Sequence, residues 1–148
     1  MRFFITGILG QLGSTISSML PDVNVTGKDL PDFDITRLEQ VSSSIKQAEP
    51  EVVIHCAAFT NVDGCARDPD KARLVNEIGT RNVAEVCAAH GVIMVLVSTN
   101  EVFDGCSPAP YVETDKPSPI NAYGHTKLAA ERHTMELLDR YYIVRTSW

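Results

Sequence analysis

Tyr123 and Lys127 stand four residues apart in a segment with helical spacing, which puts both side chains on one helix face. A tyrosine hydroxyl with its ordinary pKa of about 10 is a poor acid or base near neutrality. A lysine ammonium within a few ångström, beside a positive nicotinamide ring, favours the phenolate and lowers that pKa. Such a phenol can protonate a carbonyl oxygen while hydride arrives at its carbon, and the same lysine can hydrogen-bond a nicotinamide ribose. The pattern Y-x-x-x-K alone is common by chance. It gains weight from Ser98 and Thr99, which follow the apolar run 92–97 at the end where doubly wound sheets bind ligands. A hydroxyl there, Thr99 above all, can hold a carbonyl and stabilise charge developing on its oxygen.

A second constellation lies at the start of the chain. Thr6-Gly7-Ile8-Leu9-Gly10-Gln11-Leu12-Gly13 sits between a short apolar run and a helical pattern. Glycines there let backbone approach a pyrophosphate, and the following helix N-terminus directs unpaired N–H groups at it. Selectivity at the adenosine end is set just after the second strand, where an acidic residue favours a free ribose hydroxyl and a basic one a 2′-phosphate. Gly27-Lys28-Asp29 offers one of each. Lys28 weighs toward NADPH, and NADH stays open. His55 and His125 read as structural or surface residues. Cys56 and Cys87 read as small core residues, and no C-x-x-C pairing suggests a metal site.

The elements that must position these residues alternate throughout. Residues 2–6 form an apolar run, then Leu12, Ile16 and Leu20 recur at helical spacing until Pro21. Residues 23–26 read as a second strand and 33–35 as a short third. Thr36-Arg37-Leu38-Glu39 has the form of a capping box, opening a helix with Leu38, Val41, Ile45 and Ala48 on its inner face. Residues 51–56 are β-branched and apolar on both faces, as a strand covered on both sides requires. Asp68-Pro69 starts a helix that Gly91 stops, with Val75, Ile78, Val83, Val86 and Cys87 buried. Residues 92–97 form another buried strand. A proline-rich loop then leads to a helix over 121–139 and a last core strand over 142–146. Strands separated by helices pair in parallel, so the expected fold is α/β, a doubly wound parallel sheet of Rossmann type in one domain over 1–148.

Bulk properties agree. The chain has 148 residues, 44% of them hydrophobic and 22% charged, which suits one globular domain with its own core. The net charge is −6 and the basic residues are scattered, so no nucleic-acid surface is expected. Glycines interrupt the N-terminal apolar run, which excludes a membrane span there and makes cytoplasmic residence the expectation. Trp148 follows the last strand directly, a large aromatic with no polar tail beyond it, which suggests that the chain was cut from something longer.

Together these segments resemble the extended short-chain dehydrogenase/reductase family, and within it the dTDP-4-dehydrorhamnose reductase branch. The resemblance runs through TGILGQLG at 6–13, FDIT at 33–36, EVVIHCAAFTNVD at 51–63 and VNEIGTRNVAE at 75–85. It continues through VSTNEVFDG at 97–105, PYVETDKPSPINAYGHTKLAAE at 110–131 and VRTSW at 144–148. It implies that Gly7, Gly10, Gln11, Leu12 and Gly13 contact cofactor phosphates, that Asp34 and Ile35 lie by the adenine, and that Ala57, Ala58 and Thr60 follow the cofactor's inner edge. Thr99, Tyr123 and Lys127 would be the catalytic trio and Trp148 would lie beside a nucleotide-linked sugar. The implied reaction is reduction of a 4-keto sugar by NADPH or NADH, with a homodimer as one arrangement open to the chain. In place of the family's Asp-Tyr after Ser-Thr, this chain has Asn100-Glu101, which sets a carboxylate where a substrate-facing tyrosine is usual. The family's substrate domain would lie beyond Trp148. Two alternatives share these features: a nucleotide-sugar epimerase or dehydratase, and a non-catalytic NAD(P)-binding subunit resembling the β subunit of methionine adenosyltransferase.

Overall fold

Each strand is separated from the next by helix, so every pairing is parallel. In the computed structural model, which describes residues 1–147, five strands form one sheet in the order β2-β1-β3-β4-β5. They are β1 (Arg2–Thr6), β2 (Asn24–Lys28), β3 (Val52–His55), β4 (Ile93–Thr99) and β5 (Tyr141–Thr146). The helices are α1 (Gln11–Met19), α2 (Leu38–Ala48), α3 (Val62–Arg67), α4 (Pro69–Ala72), α5 (Thr80–His90) and α6 (Ala122–Leu137). A π-helical stretch, Arg73–Gly79, joins α4 to α5 without a break. The sheet is doubly wound. Phe4, Val53, Met94 and Leu96 point to one face and pack with Val41, Ile45, Val83, Val86 and Ala130 from α2, α5 and α6. Ile5, Val52 and Ile54 point to the other and meet Ile16 of α1.

Register decides where the chemistry lies. Thr6 pairs with Lys28 and with His55, and His55 with Leu96. Three strands therefore finish level, whereas β4 runs on through Val97, Ser98 and Thr99, paired there only with Val144, Arg145 and Thr146 of β5. That overhang carries the candidate hydroxyls past the end of β3.

Several local expectations give way to side-chain competition. Residues 33–35 form no strand, although Phe33 and Ile35 are buried. Asp34 organises a turn instead: its Oδ1 accepts from the Thr36 N–H at 2.9 Å and from the Thr36 hydroxyl at 2.8 Å. With that hydroxyl engaged, the capping box does not form. α2 starts at Leu38 behind Arg37, and Leu38 is exposed. The strand at 92–97 alternates buried and half-buried positions, and β5 exposes Tyr142 and Val144, so among the described residues neither is covered on both faces. Val75 and Ile78 are half-buried, and the buried side chains in that stretch include Asn76 and Thr80. Asp68 and Gly91 bound their helices as expected: Asp68 accepts from the Lys71 N–H, and Gly91 closes α5 at φ 64°. No helix among the described residues is long and apolar enough to cross a membrane.

A buried polar string ties the layers together. The Thr80 hydroxyl donates to the Asn76 carbonyl at 2.6 Å, so at 3.0 Å from His55 Nε2 its oxygen must accept. That leaves Nδ1 of His55 to accept from Thr6 Oγ1 at 2.6 Å. The ring is neutral and fully used, and burial pushes its pKa down from 6.5 to about 3. The sequence reading of His55 as structural is correct, and His125 is exposed. The sign for stability follows. An unfolded chain takes up this proton near pH 6.5 and the folded one does not, so stability held above that pH is lost as pH falls toward the folded value. Urea unfolding of the chain between pH 6.5 and 5 should show a loss approaching 1.4 kcal/mol per pH unit. His55→Gln should flatten that slope.

Candidate functional site

Two adjoining cavities form one groove across the C-terminal ends of the strands, sharing Gly7, Gly10, Cys56 and Ala58. At one end lie Asp29, Leu30, Phe33, Asp34, Ile35, Ala57 and Val75. At the other lie Gln11, Leu12, Gly13, Thr60, Val97, Ser98, Tyr123 and Lys127. The residues expected at a dinucleotide and the Tyr-Lys pair thus line one continuous depression. Four expected residues line neither cavity: Lys28, Thr99, Asn100 and Glu101. Trp148 lies outside the described residues. Leu30, Phe33, Cys56, Val75 and Val97 join the lining without having been assigned to it, and Asp29, weighed beside Lys28, lines it where Lys28 does not.

The glycine turn is shaped for close approach. Gly7 has φ 73°, and a Cβ there would stand 2.8 Å from the Ala57 nitrogen. A Cβ on Gly13 would collide with the Gly7 carbonyl oxygen, so α1 can begin against the turn only with glycine at this position. α1 is capped by Gly10 with no side-chain bond, which leaves its first N–H groups directed at the groove.

The opposite wall is made by α6 lying along the overhang of β4. Asn121 caps the helix by accepting from the Gly124 N–H at 2.7 Å. Tyr123 and Lys127 are then buried one turn apart. The Lys127 ammonium donates to the Val97 carbonyl at 2.7 Å. Burial lowers its pKa to about 8, against the opposing pull of Glu131. Tyr123 moves the other way: burial raises its pKa, the neighbouring Thr99 hydroxyl lowers it, and the charge of Glu101 raises it. This corrects the expectation of a phenol sharpened by its lysine. The two share a helix face, but the amine meets its buried hydrogen-bonding need at the β4 backbone, and desolvation dominates the phenol. Tyr123 is therefore a phenol holding its proton at neutral pH.

Thr99 is buried behind the groove surface, its Oγ1 accepting from the Glu101 N–H at 3.1 Å and donating to Asn100 Oδ1 at 3.4 Å. Glu101 is held away from the groove by Asn121, whose Nδ2 donates to its carboxylate at 2.7 Å. Asn100 is exposed. Lys28 is exposed too. Cys56 lines the groove, but burial raises its thiol to about 11, so it is not a nucleophile near neutrality. No cluster of metal-ligating side chains occurs among the described residues.

Sequence reading missed the support beneath this wall. Glu131, one turn beyond Lys127, is fully buried. It accepts from Ser98 Oγ at 2.5 Å and from Arg145 twice, at 2.9 Å (Nε) and 2.7 Å (Nη2). The signal available was the third member of the 123, 127, 131 series on one face. Arg145 also lies 4.9 Å from the Phe103 ring centroid. Asn76 is equally hidden: it accepts from the Phe59 N–H, donates to the Phe59 carbonyl, and reaches Thr126, fixing the loop that carries Ala57, Ala58 and Thr60.

The family model described as RmlD substrate binding domain matches residues 1–148. A dTDP-4-dehydrorhamnose reductase of Sinorhizobium fredii is 38% identical over 149 residues, covering 100% of this chain and 50% of the relative. The crystal structure of dTDP-4-dehydrorhamnose reductase from Bacillus anthracis in complex with NADP superposes with a TM-score of 0.96 at 41% identity, over 99% of this chain and 53% of that one. A Thermus thermophilus UDP-glucose 4-epimerase complex with NAD gives a TM-score of 0.89 at 25% identity, over 98% and 54%. The chain spans about half the length of the relatives it matches.

Replacing Glu131 with Gln would leave the Arg145 guanidinium without its anion. Chemical denaturation should show a loss of about 3 kcal/mol, in the range for breaking a buried pair from one side. In a separate measurement, Gly13→Ala should weaken dinucleotide binding and lower Tm, because the clash falls on backbone that no rotamer change can relieve.

Proposed function

This chain belongs to the RmlD substrate binding domain family, and from that premise we propose that it is the cofactor-holding, proton-donating part of an NAD(P)H-dependent reductase of nucleotide-linked 4-keto sugars, of the dTDP-4-dehydrorhamnose to dTDP-L-rhamnose kind. The observation that carries the proposal is the shared groove: the glycine turn and the Tyr123–Lys127 pair line one depression at the strand ends. A cradle that a Cβ at Gly7 or Gly13 would fill fits the pyrophosphate of a dinucleotide. The reductase and epimerase complexes of like fold, holding NADP and NAD, support the same ligand class.

When bound, a reduced nicotinamide dinucleotide supplies hydride to carbon 4 of the sugar. This chain's residues do the rest of the chemistry it can reach. The α1 N-terminus and the glycine turn hold the phosphates. Tyr123 gives its proton to the ketone oxygen, which becomes a hydroxyl, and the raised pKa means the proton is in place before reaction. Thr99 steadies the phenol oxygen as it loses that proton. Lys127 brings positive charge to the same wall below about pH 8. The remaining half of the relatives' length is where the sugar would be gripped, and binding energy realised there would drive the chemical step.

Glu101 supports a second reading, a dinucleotide-binding subunit without turnover. Its charge opposes formation of the phenolate that proton donation by Tyr123 must leave behind. Turnover separates the two. In the whole protein, dTDP-4-dehydrorhamnose should cause stoichiometric oxidation of the reduced cofactor, which an epimerase would not. Tyr123→Phe should reduce kcat by about 10²–10⁴-fold with cofactor affinity unchanged. A rate that survives the substitution removes Tyr123 from the reaction, and saturable dinucleotide binding with no turnover selects the subunit reading.

A further inference from the structure

Lys127 and Glu131 stand one turn apart on the buried face of α6, and they reach two consecutive residues of β4. The Lys127 ammonium donates to the Val97 carbonyl at 2.7 Å, and Glu131 Oε1 accepts from Ser98 Oγ at 2.5 Å. We propose that Glu131 is a positioning residue for proton donation by Tyr123, acting through Lys127, and that pairing with Arg145 moderates it. The proposal rests on the reductase reading for the reaction that Lys127 serves.

Burial gives this arrangement its chemical weight. Lys127 is 3% exposed and Glu131 is fully buried, so water and salt screen their charges little. One ammonium hydrogen is spent on Val97, which leaves two for what the groove holds. An ammonium removed from water gives up its proton more readily, and a buried carboxylate one turn away opposes that loss. Burial brings Lys127 down to about 8, with Glu131 opposing. Its charge near neutrality therefore responds to a small change beside it. The phenolate that Tyr123 leaves behind needs that charge, because Glu101 works against the phenolate.

Among the described residues no other anion bears on Lys127. From β3, His55 is a neutral ring that burial pushes down to about 3, and burial pushes the Cys56 thiol up to about 11. From β4 come Val97, Ser98 and Thr99, and from the glycine turn Gln11, none of them charged. On α6 itself Tyr123 holds its proton, and Glu101 is tied to Asn121. Arg145 of β5 reaches Lys127 only through Glu131, with Nε on Oε1 at 2.9 Å and Nη2 on Oε2 at 2.7 Å. That pairing fixes the carboxylate and shares its charge, which holds Lys127 close to its turning point.

Nuclear magnetic resonance of ¹³C-labelled lysine side chains follows the Lys127 titration directly, the signal being assigned by its loss in Lys127→Arg. In the unmodified chain the midpoint should lie near pH 8. Glu131→Gln keeps an acceptor for Ser98 without the charge, and it should lower the midpoint by about one pH unit. Arg145→Met breaks the same ion pair from the other side and should leave the midpoint in place or raise it. In the whole protein, the basic limb of kcat should move down with Glu131→Gln. Lowering the pH should then restore most of the rate, which damage to packing would not allow. A midpoint unmoved by Glu131→Gln overturns the proposal, and so does an equal lowering by Arg145→Met. Glu131→Asp keeps the charge but withdraws it by one methylene, so it should lower the midpoint less. If Glu131→Gln does not fold, an unmoved midpoint in Glu131→Asp overturns the proposal. The titration needs no turnover. A whole protein that binds dinucleotide and reduces nothing removes the reductase reading, whereas a missing coupling in an active protein removes the proposal alone.

Discussion

The whole site depends on α6 being locked, in one register, against the last residues of β4. Four residues of helix advance about 6 Å, and two residues of strand about 6.6 Å. The two repeats match, so Tyr123 can meet Thr99 while Lys127 meets the Val97 carbonyl. Helix and strand run in opposite directions, as a crossover requires, and the helix therefore starts where the strand ends. A slip of one residue would rotate Tyr123 by about 100° and take it off the groove. The glycine turn across the depression would then face a wall without a proton donor.

Glu131 is what makes that register hard to lose. It takes a hydroxyl from β4 and a two-pronged guanidinium from β5, so one carboxylate joins three elements. Bidentate pairing fixes direction as well as distance. The same carboxylate sits one turn from Lys127 and opposes the loss of charge that burial imposes on the amine. Structural and chemical roles are thus carried by a single buried group. Asn76 does the matching work opposite, clamping the Phe59 backbone to α6 through Thr126.

What could be read beforehand was whatever depended on spacing along the chain. The glycine turn, the Tyr123–Lys127 pair, the caps at Asp68 and Gly91, and the strand–helix alternation are local patterns, and all are present. Misreadings arose where a side chain had a choice of partner. Thr36 bonds Asp34 instead of capping α2, a competition that Asp and Thr side chains routinely offer the backbone. Lys127 turns to a carbonyl thirty residues back instead of toward its neighbour's phenol. Lys28 and Asp29 are adjacent in sequence, yet only Asp29 lines the groove. Glu131 and Arg145 lie on different elements, so no window of sequence joins them. The fold is written in periodicity, whereas the electrostatics of the site are written in long-range partners.

The π-helical stretch has a consequence for how this scaffold tolerates change. Its wider turn offsets the face of α4 from that of α5 without interrupting the rod. Within the stretch Asn76 addresses the loop behind the groove, and just beyond it Thr80 addresses the sheet through His55. Removing one residue between 73 and 79 would straighten the rod and leave every contact on one side of the cut out of phase with the other. A surface helix usually absorbs such a deletion by sliding. Here the two ends answer to different layers, so the length of this segment is as tightly fixed as the identity of any residue in it.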